Sequence, residues 1–514
     1  MRTKNVMRNI GINILTQIVI TVLGFLSRKV FIDNLGTEYL GINGLLSNVI
    51  SMLSLVEGGI GTSIIFNLYK PLADDDRPRI IALVQLYKKL YGILAIVILF
   101  LSICLYPFLG LLMRDYTGVP YLTLIYFIFV AKNMISYLNA HRWSLINADQ
   151  KGYVLARYNL IFNIVTTLSK IAILYYTKNY VLYLLIEAGI FVVQNIWNGR
   201  IVNNKYPYIN TREKYYVEKQ VKENLITNVK AIFLHNIGSY CVFGTDNILI
   251  SALVSIQAVG FYSNYTLVIN QLSTVVKQVL EGISQSVGNL IATESKEKSY
   301  KIFKVVYLIN FWIYSFAAIF LYNLLEPFIG WCFGKDMILN KLVLVISIVN
   351  FYLTGLRSSV NTFKTKAGIF KEDKYVPLIE SFINLSVSII LAKYLGLAGI
   401  LIGTAISTIS IPLWVQPKLV YNKVFNMSVA EYFKKYCIYL ILTIIVGAIT
   451  TFACNILVLG AGLFSLVYKG IICVLIPNVI YFLLFYKTEE FKYLYDIGKS
   501  MIIKIKGKVA FNNL

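Results

Sequence analysis

The sequence predicts an all-α polytopic membrane protein of about fourteen transmembrane helices. They are expected to form two six-helix lobes related by a parallel repeat, followed by two extra C-terminal helices. Three observations carry this expectation: an excess of apolar residues, a one-sided placement of basic residues, and an internal repeat. Of the 514 residues, 57% are apolar or aromatic and 14% are charged. A soluble protein is about 25% charged and about 45–50% apolar. The excess suffices for about fourteen spans of about twenty residues, more apolar surface than soluble domains of this length can hide.

Taken in order, the N-terminal segment Met1 to Arg8 is basic and runs into an apolar stretch reaching Ile32. It has no Ala-x-Ala type site, so it reads as an uncleaved first span. Apolar windows then place spans near 10–32, 41–66, 80–113, 119–145, 154–177 and 180–202. After a charged, Tyr-rich segment come windows near 227–256, 259–292, 300–333, 338–365, 374–395, 397–422, 431–457 and 462–486. The resulting organisation is an N-lobe at 1–203, a cytoplasmic linker at 204–226 and a C-lobe at 227–422. Spans 13 and 14 occupy 423–486, and a cytoplasmic tail follows at 487–514.

The charges test that parity. Lys plus Arg number 48 against 25 Asp plus Glu. With fourteen spans, 36 of the 48 basic residues fall on the side of the termini and 8 on the other. A missed or invented span would scramble the split, so both termini are expected in the cytoplasm. Clustering between apolar runs also argues against nucleic acid as the partner of this positive charge. The six cysteines lie in or at the ends of apolar runs without CxxC spacing and read as buried free thiols. Two histidines, His141 and His235, are too few for a His-rich metal centre.

The repeat appears at an offset of roughly 220–225 residues. Glu57-Gly58 recurs as Glu281-Gly282, and Pro107-Phe108-Leu109-Gly110 as Pro327-Phe328-Ile329-Gly330. Gly41 is matched by Gly260, Tyr153-Val154 by Tyr375-Val376, and Lys132 falls opposite Arg357. Two like-oriented six-span lobes are the plan of alternating-access transporters, with the substrate near the midplane.

The stretch Gly24-Phe25-Leu26-Ser27-Arg28-Lys29-Val30-Phe31-Ile32-Asp33-Asn34-Leu35-Gly36, continuing to Gly41, resembles the first-span signature of Wzx-type polysaccharide flippases. So do Leu53 to Gly61, Tyr69-Lys70-Pro71-Leu72-Ala73, and Asp246 to Ser251 with Val259-Gly260-Phe261-Tyr262. The resemblance covers about residues 5–430. This family belongs to the MOP superfamily, with MATE-type multidrug exporters and the lipid II flippase. The resemblance implies movement of an undecaprenyl-diphosphate-linked oligosaccharide from the cytoplasmic to the outer leaflet of the bacterial cell membrane. It further implies service to capsule, exopolysaccharide or O-antigen assembly. Expected partners are that glycolipid, membrane lipids and a polysaccharide polymerase, with the chain acting as a monomer, without a cofactor and not as an enzyme.

A diphosphate crossing hydrocarbon needs cations that partly replace water. Four basic residues fall inside spans: Lys132, Lys170, Lys277 and Arg357. Arg28, near the outer end of the first span, matches a cationic position of the lipid II flippase pattern Gly-Phe-x-x-Arg. These five are the candidate substrate-binding residues, expected to face a positive cavity between the lobes. The bland readings are pairing of Lys277 with Glu281 one turn on and snorkelling of Lys170 or Arg357 to an interface. Glu57, Asp246 and Glu281 are candidate acids: H+ or Na+ coupling sites on one reading, structural partners on the other.

Two other functions compete. A MATE-like exporter of cationic drugs would favour acidic residues over basic ones in its lumen. A membrane polymerase or glycosyltransferase usually carries a large hydrophilic loop, whereas the longest polar stretch here is roughly residues 203–226. There is no P-loop pattern for ATP hydrolysis and no G-x-S-x-G element.

Overall fold

The computed structural model describes residues 2–499 except 58–59, 114–118, 150, 220, 224–228, 230–235, 237, 239, 243, 370–371, 459, 461 and 497–498. The side chains of 2–18, Thr62 and most of 278–293 also lie outside the description. The described residues are helical, with no strand. Among the described residues, ten helices are long and apolar enough to cross a membrane, and one bent pair makes an eleventh.

The chain divides into two compact units: residues 1–263 with 389–400, and 264–388 with 401–514. The first contains α1 (Arg2–Leu53), α2 (Ile60–Ala73), α3 (Arg77–Leu105), α4 (Leu122–Leu138), α5 (Ala140–Ala148), α6 (Tyr153–Thr177), α7 (Tyr180–Lys205) and α8 (Asp246–Leu253). It also takes the first turns of α9 (Ile256–Thr293). The second contains the rest of α9, then α10 (Lys296–Cys332), α11 (Lys341–Lys366) and most of α12 (Val376–Leu395). It continues with most of α13 (Leu397–Ser410), α14 (Pro412–Val420), α15 (Ala430–Leu457) and α16 (Leu463–Phe485).

Polar residues between the apolar runs start several helices by accepting from free first-turn amides. Asp76 Oδ1 accepts from Arg79 N at 3.2 Å, Asn179 Oδ1 from Leu182 N at 3.1 Å, and Asn340 Oδ1 from Leu342 N at 3.0 Å. As expected, the first two windows are separate helices, and within α1 they meet at a kink whose non-helical residue is Gly36. Its φ of +82° is a left-handed conformation open to glycine at little cost. The next break comes at the 3₁₀ turn Ser54–Glu57. The window 119–145 is two helices bent by 47°. At the bend, Asn139 donates to the Asn195 carbonyl at 3.2 Å and accepts from Arg142, hydrogen bonds that compete with a continuous helix. The window 397–422 breaks at Pro412, which opens α14, and ends in a π-helical turn, Tyr421–Phe425.

In the first unit, α1 packs on α6 and α4, and α4 packs on α7. In its C-terminal part, after Gly36, α1 meets the start of α9 backbone to backbone. A Cβ on Gly41 would lie 2.0 Å from the Ile256 carbonyl oxygen, and one on Gly260 2.3 Å from that of Thr37. The two glycines matched by the sequence repeat therefore lie against each other, in a small-residue helix crossing. Gly41→Ala and Gly260→Ala should each destabilise the unit by about 1–3 kcal/mol or more. Monodisperse yield and thermal survival in detergent measure this, and wild-type behaviour of both variants would refute the crossing.

In the second unit α10 is the central helix, covered by α11, α15 and α16. Its residues Tyr300, Phe303, Tyr307, Phe311 and Tyr314 recur at helical spacing and are buried. Phe311 stacks on Tyr439 of α15 with centroids 4.0 Å apart, and Tyr352 of α11 shares a 2.9 Å hydrogen bond with Thr443. Ser315 bonds Tyr481 of α16. The two appended helices are thus built into the unit's core by one face. Their other faces expose Ile441, Ile444, Phe452, Leu475 and Leu483, as a lipid-facing surface does.

All six cysteines are free, in line with their spacing. Their burial is uneven, however. Cys104 and Cys437 are exposed, because they fall on the outward faces of α3 and α15. Cys454 and Cys473 are buried side by side with sulfurs 3.7 Å apart.

Candidate functional site: a cation cluster in the first unit

The inner face of α7 is a single stripe: Tyr180, Tyr183, Glu187, Phe191, Asn195 and Asn198, spaced three or four residues apart. Glu187 stands at its middle and is the meeting point of two lysines. Lys132 of α4 bonds Glu187 Oε1, and Lys170 of α6 donates to Oε2 at 2.5 Å. Three helices therefore bring two ammonium groups onto one carboxylate. The side chains are partly open, 36% for Lys132, 17% for Lys170 and 20% for Glu187. This cluster is accessible rather than sealed.

Aromatic side chains hold its other edge. Lys170 Nζ lies 4.4 Å from the Tyr183 ring centroid and Lys132 Nζ 5.8 Å from that of Phe191, cation–π distances. Arg28 of α1 lies within electrostatic reach of the same Tyr183, and its Nη2 donates to the Ser263 carbonyl at 3.2 Å. Among the described residues no carboxylate sits at ion-pairing distance from Arg28. Phe31, one turn along α1, packs edge-on against both Tyr180 and Tyr183 at 5.7 and 5.2 Å, fixing that end of the stripe. Two lysines thus share one carboxylate, and Arg28 stands on the other side of Tyr183 without a carboxylate of its own among the described residues. The surplus of positive charge is costly in a low-dielectric setting unless an anion joins it.

The second unit treats its charges differently. Arg357 of α11 pairs with Glu380 of α12 at 3.1 Å, and Thr408 donates to the same oxygen at 3.2 Å. These side chains are 15% and 6% exposed, so the guanidinium is neutralised in place. Lys364 and Asp373 form a still more buried pair. Lys277 of α9 is exposed, and the suggested partner Glu281 has its side chain outside the described residues.

Of the other acids, Glu57 closes the 3₁₀ turn before α2 and accepts from the Tyr91 hydroxyl at 2.5 Å. Asp246 opens α8, its Oδ1 buried without a hydrogen-bond partner. Among the described residues no group of three or more His, Cys, Asp or Glu side chains is placed to hold a metal ion. The structure therefore brings together Arg28, Lys132 and Lys170 of the expected set. Sequence reasoning assigned no role to Glu187 or to Tyr183. The α7 stripe at helical spacing was the available signal for both.

No family model and no curated protein matches the chain. Solved structures do match at the level of fold. One, described as the lipid II flippase MurJ in an inward closed conformation, is 14% identical with a TM-score of 0.68, covering 92% of this chain and 98% of its own. An inward-facing multidrug resistance MATE family transporter of the MOP superfamily is 15% identical with a TM-score of 0.58, covering 78% and 96%. A MOP superfamily transporter from Pyrococcus furiosus is 13% identical with a TM-score of 0.50, covering 80% and 95%. The chain is a multi-pass membrane protein with the fold these transporters share.

Proposed function

We propose that this protein is a flippase for an undecaprenyl-diphosphate-linked oligosaccharide. It carries that glycolipid from the cytoplasmic to the outer leaflet of a bacterial cell membrane by alternating access, for surface polysaccharide assembly. The observation that carries the reading is the charge imbalance of Arg28, Lys132 and Lys170 against the single Glu187. A diphosphate offers oxygens to several cations at once and supplies the missing negative charge. A carrier of cationic drugs has no use for this surplus. Glu187 then acts as a resident anion that shares the lysines with the substrate and keeps them from standing bare between cycles.

The direct test is translocation in proteoliposomes of an undecaprenyl-diphosphate carrying a short fluorescent oligosaccharide, scored by access to a reagent added outside. Transport of an organic cation in place of this lipid would overturn the reading. Orientation is tested separately: cysteines at Asp149 and Lys214 should label only with reagents that reach the cytoplasm, and one at Gly118 from outside. Reversed labelling would refute the charge argument.

A further inference from the structure

Next to the cation cluster, wholly inside the first unit, lies a cavity of about 510 Å³ that the diphosphate reading does not use. Its wall is the cytoplasm-proximal part of the α7 stripe, faced by α4, α5, α6 and the turn at Glu57. Two buried carboxamides define its chemistry. Asn198 is 5% exposed and commits its Nδ2 to Asn159 Oδ1 at 2.8 Å, and Asn195 is 6% exposed and commits its Nδ2 to the Phe191 carbonyl at 3.1 Å. Both amide orientations are thereby set, and both Oδ1 atoms are left without a partner. A buried acceptor left unmade is costly, so the pair calls for a ligand that donates.

The remaining wall is aromatic. Tyr91 and Tyr137 are stacked with centroids 5.6 Å apart, and Trp143 also lines the space. Among the described residues the Glu57 carboxylate is the one charge on the lining. Among the described residues no basic side chain lines the cavity, which argues against a second phosphate site. A cationic ligand is disfavoured by Lys132, whose ammonium group lies against Phe191, itself part of the lining. What remains is a neutral, ring-shaped molecule with hydroxyl donors on its rim and apolar faces.

We propose that this cavity is a binding site for uncharged sugar rings, taking the sugars nearest the diphosphate of the glycolipid; this part rests on the flippase reading. The register along α7 suits that division. Glu187 to Asn195 is eight residues, about 12 Å of helix, with Phe191 between the lysines and the amides. The lysines hold the diphosphate while Asn195, Asn198 and Glu57 accept from sugar hydroxyls, and Trp143 and Tyr137 offer ring faces. Specificity for the first sugars would then reside in the first unit, apart from the charge that holds the lipid.

The test is a titration of the full-length protein in nanodiscs with N-acetylglucosamine and with methyl α-glucoside, read by tryptophan emission. A saturable change is expected in the wild type, absent in Trp143→Phe and shifted at least about tenfold in Asn195→Leu and Asn198→Leu, since the site rejects ligands it cannot pair with. No saturable change in folded wild-type protein with either sugar overturns the proposal, whatever the variants do. A response to tetramethylammonium in place of the sugars also overturns it. Undecaprenyl diphosphate without sugar is titrated into the same samples. Its binding should be unchanged in the asparagine variants, and its failure to bind wild type would count against the flippase reading alone.

Discussion

Arg28→Ala is expected to abolish translocation of the diphosphate lipid while the protein still accumulates and folds. The guanidinium lies beside Tyr183 and makes its described hydrogen bond to a backbone carbonyl, not to a carboxylate. Removing it therefore strands no buried acid, which is the usual reason a charge deletion unfolds a protein. Truncating one partner of a desolvated charge contact costs about 2–5 kcal/mol, roughly thirty- to several-thousand-fold in affinity. Arg28→Lys should keep part of the activity, because a mobile diphosphate accepts a point charge less well than a fork but still accepts it. Lys132→Ala should be as severe. With Lys132 gone, Glu187 and Lys170 neutralise each other, and the cluster's surplus for an anion falls to Arg28 alone. Glu187→Gln is the informative opposite. It removes the competing carboxylate, so lipid binding should tighten while turnover falls, because nothing displaces the diphosphate afterwards. Undiminished translocation in both Arg28→Ala and Lys132→Ala would remove this cluster from the path.

The fold was legible in the sequence because its causes are local and additive. Apolar content, span length and the placement of basic residues each sum over the whole chain, and an error in one window barely disturbs the total. Arg28 was singled out by a short motif, and Lys132 and Arg357 by the repeat. Their partners were not. Glu187 is 55 residues from Lys132 and 17 from Lys170, and only the packing of α4 and α6 on α7 joins them. The carboxylates that compensate Lys132 and Arg357 do not stand at matching places in the repeat. One comes from α7 and the other from α12, so symmetry alone gave no route to either. Some helix breaks were also hidden. Asn139 bends its segment through a hydrogen bond to Asn195, 56 residues on, and no window of local hydropathy contains that contact.

Asp373→Ala should be the most destabilising single substitution in the second unit, by about 3–5 kcal/mol. Lys364 lies in the last turn of α11, and Asp373 in the segment that leads into α12. Both side chains are 3% exposed and are bonded to each other. The pair closes a short connection whose backbone is already tied back, with Ile369 N bonding the Lys364 carbonyl at 3.1 Å and Val376 N that of Asp373 at 2.9 Å. Deleting the carboxylate leaves an ammonium group buried without compensation. Deleting both charges removes the problem: Lys364→Met with Asp373→Leu should recover most of the loss, since apolar replacements of similar volume are often neutral or stabilising. Loss of monodisperse protein at a fixed elevated temperature is the appropriate measure, because membrane proteins of this size seldom unfold reversibly. The order expected is wild type and double variant together, Asp373→Ala far faster. Translocation should survive in the double variant, because the pair's charges cancel and neither is asked to meet the substrate. A double variant that is stable but unable to translocate would move this pair from the scaffold into the transport path.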